Sequence, residues 1–387
     1  MPPAVASERD LRLDLFRGLA LWLIFLDHIP SNAVNWITLR NYGFSDAAEI
    51  FVFISGYTAA FVYGKTLRER GPVVAGARIL KRAWQVYVAH IFIFVIFMAE
   101  VAYVTKSFDN PLYTEEMGAF DFMQQPGPAL IQALLLKFKP TYMDILPLYV
   151  VLLLGFAPGI WLIVRAPSVA LAASVVLYAL SWRFEWNLPS YPSGYWFFNP
   201  LAWQMLFVFA AWCALGTEDR LRWLLRSRLV LALAIVYLVL AFGTTMTWHM
   251  PNLARLIPKP VAEVIYPIDK TNLDILRFMH FLALALVTVR LVPRDWPGLE
   301  SPLLRPAIVC GQHSLEIFCL GVFLSFTGHF VLVEVSDRIW VQIAISAAGV
   351  GIMVGTAALM RWYRMIEGRR PGSRPPKPDA SLAGGEA

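Results

Sequence analysis

Leu15-Phe16-Arg17-Gly18-Leu19-Ala20-Leu21-Trp22-Leu23-Ile24-Phe25-Leu26-Asp27-His28-Ile29 is the stretch on which the fold turns. An apolar run preceded by Arg9 and Arg12 has the outline of a secretory leader. A leader ends in small residues at its cleavage site, whereas Asp27-His28-Ile29-Pro30 stands there instead. The run therefore reads as a helix kept in a bilayer. It carries Arg17, Asp27 and His28, with Asp14 just before it. Charges in hydrocarbon are expensive, so each is a functional candidate.

The rest of the chain fits that reading. Its 387 residues are 58% hydrophobic and only 16% charged, with a mean hydropathy of +0.57, whereas soluble domains carry about 25% charged residues. Nine more apolar segments follow at Ala47–Tyr63, Trp84–Val104, Ile145–Val164, Ser168–Trp182, Asn199–Gly216, Leu229–Met246, Thr271–Val289, Ser314–Val333 and Ile339–Met360. Crossing hydrocarbon takes roughly 20 apolar residues, so a few are short for a full span. The expected fold is an all-α integral membrane protein with about ten transmembrane helices in one bundle. Residues 1–14 form an N-terminal cytoplasmic segment, 15–361 the membrane domain and 362–387 a Pro-, Gly- and charge-rich tail expected to be disordered.

Basic residues set the orientation. With the N-terminus inside, most of the 33 Lys and Arg fall on the cytoplasmic side: Arg12 and Arg17, the run from Lys65 to Arg82, Arg165, Arg220 to Arg228, Arg290 to Arg305, and the tail. The positive-inside rule then places both termini in the cytoplasm and the aromatic loops Thr105–Asp144, Arg183–Phe198 and Thr247–Lys270 outside. The same rule explains the net charge of +6 without nucleic acid. Cys213, Cys310 and Cys319 make no metal-ligand spacing and read as packing residues, so no metal is expected.

Arg17 and His28 are eleven residues apart, within about 20° of three full turns and about 16 Å along a helix. An anion-binding Arg and a titratable His would thus face one channel; the bland alternative is a topology Arg and a core His satisfied by Asp27 or backbone. Arg78-Ile79-Leu80-Lys81-Arg82 suits a phosphate clamp as well as positive-inside charge. Ser55 lacks a nucleophile elbow, and Ser55-Gly56 reads better as close helix packing. Glu49 could orient a His, bind substrate or simply lie at an interface. Arg277 and His280 share a face in a polar half-helix that suggests a hydrophilic cavity. His90 is expected to hydrogen-bond within the bundle, His313 to serve local bonding at a helix start, and His329 to pack.

Several strings together resemble the OpgC family: Arg12–Gly18, Leu26–His28, Ala48–Tyr57, Trp196–Gln204, Asp269–Leu273 and His313–Phe318. More distantly, Arg17-x10-His28 and Phe51–Tyr57 resemble the acyltransferase-3 superfamily, although Phe-Ile-Ser-Gly-Tyr departs from its commoner string. The resemblance implies transfer of an acyl group, succinyl from succinyl-CoA, to hydroxyls of osmoregulated periplasmic glucans, in a bacterial inner membrane. The donor is a substrate and no permanently bound cofactor is implied. On this reading His28, with Asp27, Glu49 and His280, belongs to the catalytic group. Arg17, Arg78 and Arg82 bind the donor, and Asp14, Arg277, Trp196, Asn199 and Asp269 serve the acceptor. A transporter or a flippase for a lipid-linked sugar would also need intramembrane charges, and a non-catalytic scaffold or sensor would tolerate loss of His28. Oligomeric state is not legible.

Overall fold

Hydrocarbon offers backbone groups no partners, so a chain of apolar segments must satisfy them within helices. The computed structural model describes residues 10–215, 223–255 and 258–367, and among these it is helical with no strand. Asp10 accepts the Arg12 amide at 3.1 Å and so starts helix α1 (Leu11–Asp27). Asp46 and Glu49 form a reciprocal capping box at the start of helix α2 (Ala47–Phe108), satisfying amides that the first turn leaves open. The remaining main helices are α3 (Ile145–Arg165), α4 (Pro167–Arg183), α5 (Pro200–Ala214), α6 (Arg228–His249), α7 (Ile275–Leu291), α8 (Arg305–Gln312), α9 (Ser314–Glu334) and α10 (Ile339–Glu367).

Helix α2 is two helices end to end. Gly71 breaks it at φ 81° and ψ 172°, a conformation open to glycine and costly for other residues. Pro72 then starts the second arm, where its missing N–H costs nothing. Across the break Arg78 Nη1 donates to Thr66 Oγ1 at 3.1 Å. Among the described residues five helices, α2, α3, α6, α9 and α10, are long and apolar enough to cross a membrane. Helices α4 and α5 are apolar but shorter. Length and composition thus support a helical membrane protein and do not establish ten crossings.

Several boundaries differ from the sequence expectation: the segments Ala47–Tyr63 and Trp84–Val104 extend toward the break at Gly71, and the second runs on to Phe108. Helix α1 begins at Leu11, inside the segment assigned to residues 1–14. Helix α10 continues to Glu367, past the boundary at 361, because nothing in Arg361–Glu367 breaks it. Helix α7 starts at Ile275 rather than Thr271, because Asp274 caps it by accepting the Leu276 amide at 2.8 Å. Arg9, Arg220, Arg222 and the tail from Gly368 lie outside the described residues. The loop between α2 and α3 folds into short helical turns at Leu112–Glu116, Phe120–Gln124 and Pro126–Leu134.

Helix α1 packs on α2, α8 and α9, while α2 also packs on α3 and α5. Its contact with α8 is backbone to backbone. A Cβ on Gly18 would meet the Ala307 carbonyl, and one on Gly311 would meet that of Asp14. Gly56 lies in the same way against the Phe207 carbonyl, as close packing at Ser55-Gly56 requires. Gly311→Ala should therefore push two backbones apart and cost about 1–3 kcal/mol, the usual penalty of overpacking. Thermal unfolding in detergent checks this; an unshifted transition would show that the crossing yields freely.

Candidate functional site

The two ends of α1 carry two different environments. At the Arg17 end a cavity of about 130 Å³ is lined by Arg17, Ser55, Thr58, Arg82, Tyr149 and Ser314, among others. Arg17 Nη2 donates to Thr58 Oγ1 at 2.8 Å, and its Nη1 is 4.0 Å from Asp14 Oδ1. Arg17 and Arg82, far apart in sequence, thus share one wall. Arg78 is not part of it, since its guanidinium is turned to Thr66. Buried Asp14 also lies at this end, 3.5 Å from Gln312 Nε2, which separates it from the acceptor group to which the resemblance assigned it. The cavity lining includes buried Phe51 and Leu146 but not His28, so a single open channel from Arg17 to His28 is not present.

At the other end His28 terminates α1, its amide donating to Ile24 O at 3.0 Å. Its ring stacks on Tyr142, with centroids 4.4 Å apart and planes inclined by 25°. Tyr142 sits at φ 69°, a left-handed conformation rare for a bulky side chain. Nδ1 of His28 is buried without a hydrogen-bond partner. Asp27 does not supply one. Its Oδ1 accepts the Thr38 hydroxyl at 2.7 Å and lies 4.0 Å from Arg40 Nε.

A buried ion network stands beside this ring. Arg277 reaches Glu49 Oε1 through Nη2 at 2.7 Å and Nε at 2.9 Å, and Asp46 Oδ2 at 3.2 Å. Lys270 Nζ holds the same Asp46 oxygen at 2.6 Å. Glu49 is completely buried and therefore orients Arg277, not a histidine. Charges on Lys270, Asp46 and Arg40 are near enough to act on His28. His280 lies against Gly43 and Ser45. Its Nδ1 accepts the Ser45 amide at 3.3 Å and lies 2.7 Å from Ser45 Oγ. Ser45 thus engages that nitrogen through both its amide and its hydroxyl.

The remaining acceptor candidates build the scaffold. Asp269 accepts the Thr271 amide and Asn272 Nδ2, both at 2.7 Å. Asn199 is fully buried, donating to Trp186 O and Asn272 Oδ1 at 2.7 Å. Trp182, Tyr178 and Trp203 donate to carbonyls of Asn272, Leu273 and Lys270. Residues 269–274 are thereby clamped, and the clamp fixes where Lys270 and Arg277 point. Trp196 is buried with Lys139 Nζ 4.1 Å from its ring centre, so its face is not open to a sugar. Burial there pushes the Lys139 amine down to about 8. His90 is fully buried with neither ring nitrogen bonded, contrary to the bond expected of it. His329, expected only to pack, is 2.9 Å from Glu116 Oε2.

Sequence reasoning missed Thr38, Arg40, Tyr142 and the roles of Asp46 and Lys270. Asp46 and Lys270 stood in plain view as charges immediately before apolar segments. Tyr142 left no signal, being one aromatic among many in a loop. No cluster of three or more potential metal ligands occurs among the described residues.

A helical membrane protein with a basic cavity and a histidine–ion network at opposite ends of one helix is the class these features define. The chain belongs to the OpgC protein family, whose model matches residues 9–365. No curated protein and no solved structure matches it. Family membership suggests an acyltransferase role in glucan modification.

Proposed function

We propose that the chain is a ten-span O-acyltransferase of the bacterial inner membrane with both termini cytoplasmic. It moves succinyl from cytoplasmic succinyl-CoA to hydroxyls of periplasmic glucans. The observation that carries this reading is the division of α1, with Arg17 in the basic cavity and His28 in the ion network. An Arg pair matches the phosphates of a CoA donor, and a neutral imidazole matches the task of taking a hydroxyl proton.

The chemistry balances without further reactants. A His28 nitrogen takes the acceptor hydroxyl proton as the oxygen attacks the thioester carbon. The C–S bond breaks, and the imidazolium returns the proton to the departing thiolate. Ester and CoA thiol result. Asp46, Lys270 and Arg40 set the field around the ring, and Tyr142 holds its plane. For the two ends to meet, the thioester arm must pass Phe51 and Leu146, so side-chain movement at that wall is part of the reading.

Mass analysis of periplasmic glucans from cells with and without the gene tests the activity. Glucans of equal mass would count against it. Movement of a sugar substrate without acyl-CoA turnover would favour a transporter instead. On the donor side, Arg82→Ala should raise the KM for succinyl-CoA roughly ten- to a hundredfold, the loss of one charge-assisted contact. An unchanged KM in purified Arg82→Ala would reduce that residue to a topology charge.

A further inference from the structure

Resting on the acyltransferase reading, we propose that Arg40 recognises the distal carboxylate of the donor acyl group and so selects a dicarboxylic thioester over a monocarboxylic one. Lys270 and Arg40 act on His28, and Arg277 joins Lys270 on Asp46. Arg277 is bound to Glu49 and Asp46, and Lys270 to Asp46. Their charges are answered within the protein by close ion pairs. Arg40 differs. Its side chain is half exposed, its nearest carboxylate oxygen is 4.0 Å away on Asp27, and it makes no hydrogen bond among the described residues. That Asp27 oxygen already accepts the Thr38 hydroxyl at 2.7 Å, so Arg40, unlike Lys270 and Arg277, has donors to spare.

Its position suits the task. Arg40 lies in a short helical turn, Leu39–Asn41, held to the end of α1 by the Thr38–Asp27 bond, and its charge acts on His28, Asp27 and Tyr142. In a succinyl thioester three bonds separate the reacting carbon from the carboxylate carbon, about 4 Å when extended. With the reacting carbon beside His28, the carboxylate falls in the neighbourhood of Arg40. A guanidinium offers paired N–H donors that match a carboxylate. An acetyl or butyryl group would leave those donors unanswered, and a butyryl group would place a methyl where the carboxylate should be.

Purified protein assayed for CoA release with glucan acceptor, using succinyl-CoA and butyryl-CoA in parallel, tests the assignment. Butyryl has the same chain length with a methyl in place of the carboxylate. The parent protein should prefer succinyl. Arg40→Gln should shrink the succinyl-over-butyryl ratio of kcat/KM roughly ten- to a hundredfold, as expected for losing one charged hydrogen-bonded contact. Arg40→Lys should recover part of it. Because the ratio is read within one preparation, a general loss of folded protein cancels. A preserved ratio in Arg40→Gln overturns the role of Arg40 and leaves the acyltransferase reading standing. A parent protein that releases CoA from neither thioester overturns both.

Discussion

His28→Ala should lower acyl transfer by roughly a hundredfold or more while leaving donor binding intact, since a positioned base supplies typically 10²–10⁴-fold. A sugar hydroxyl is too weakly acidic to attack a thioester unaided at neutral pH. The ring that would help it is held by a stack on Tyr142, and its Nδ1 makes no bond to the protein. His280 lacks that freedom, because Ser45 occupies its Nδ1. The expected contrast is therefore His28→Ala nearly inactive and His280→Ala reduced far less. CoA release with glucan acceptor, measured on monodisperse protein, reads both. Turnover close to normal in His28→Ala would remove the His28 mechanism; if His280→Ala were dead in the same assay, the base would be His280. Tyr142→Gly adds a finer comparison. Glycine suits the backbone at φ 69°, so this variant should fold, yet it removes the ring that holds His28. A fall in kcat with Tyr142→Phe near normal is the pattern that positioning by the ring requires.

Arg277→Met should destabilise the protein by about 3–5 kcal/mol, because it strands the buried partner of an ion pair. Glu49 is entirely within the bundle and depends on Arg277 at 2.7 and 2.9 Å; its other oxygen accepts only the Asp46 amide at 2.9 Å. Asp46 would keep Lys270, so the cost falls on Glu49. Replacing both partners, Glu49→Leu with Arg277→Met, removes the unpaired charge and should restore much of the stability, since apolar substitutes for buried pairs are often neutral or stabilising. Thermal unfolding in detergent across the two single variants and the double distinguishes the cases. A double variant no better than Arg277→Met would mean that the pair supports the fold through geometry rather than charge. The double variant should still be a poor enzyme, because Arg277 and Lys270 together place Asp46 beside His28.

The family strings located both halves of this network without pairing them. Ala48–Tyr57 contains Glu49 and Asp269–Leu273 contains Lys270, yet neither string holds the partner, Arg277 for Glu49 and Asp46 for Lys270. Arg277 and His280 were legible as a polar half-helix, and a hydrophilic cavity was a reasonable inference. The groups instead satisfy one another, because a buried carboxylate recruits the nearest guanidinium before any ligand does. Trp196 and Asn199, the acceptor candidates, are likewise engaged within the scaffold. Aromatic and amide residues in loops suit sugars, but they also suit the clamping of irregular backbone: Asn199 belongs to the clamp on residues 269–274, and Trp196 is buried under Lys139 with its carbonyl held by Asn187.

What the sequence determined by itself is what hydrocarbon and local chemistry dictate. Apolar segments became helices because backbone groups in a bilayer can be satisfied only within the segment. Asp10, Asp46 and Asp274 fixed helix starts through bonds spanning two or three residues, and Gly71-Pro72 fixed the break in α2 through its own φ and missing donor. Tertiary structure alone decided which charges are neighbours. Glu49 and Arg277 are 228 residues apart, Tyr142 comes from a loop to meet His28, and Arg82 joins Arg17 only because α2 turns back at Gly71. Helical periodicity reports the face on which a charge lies and is silent about what packs against that face. The division between closely paired cations at Lys270 and Arg277 and a loosely paired one at Arg40 is therefore a property of the assembled bundle.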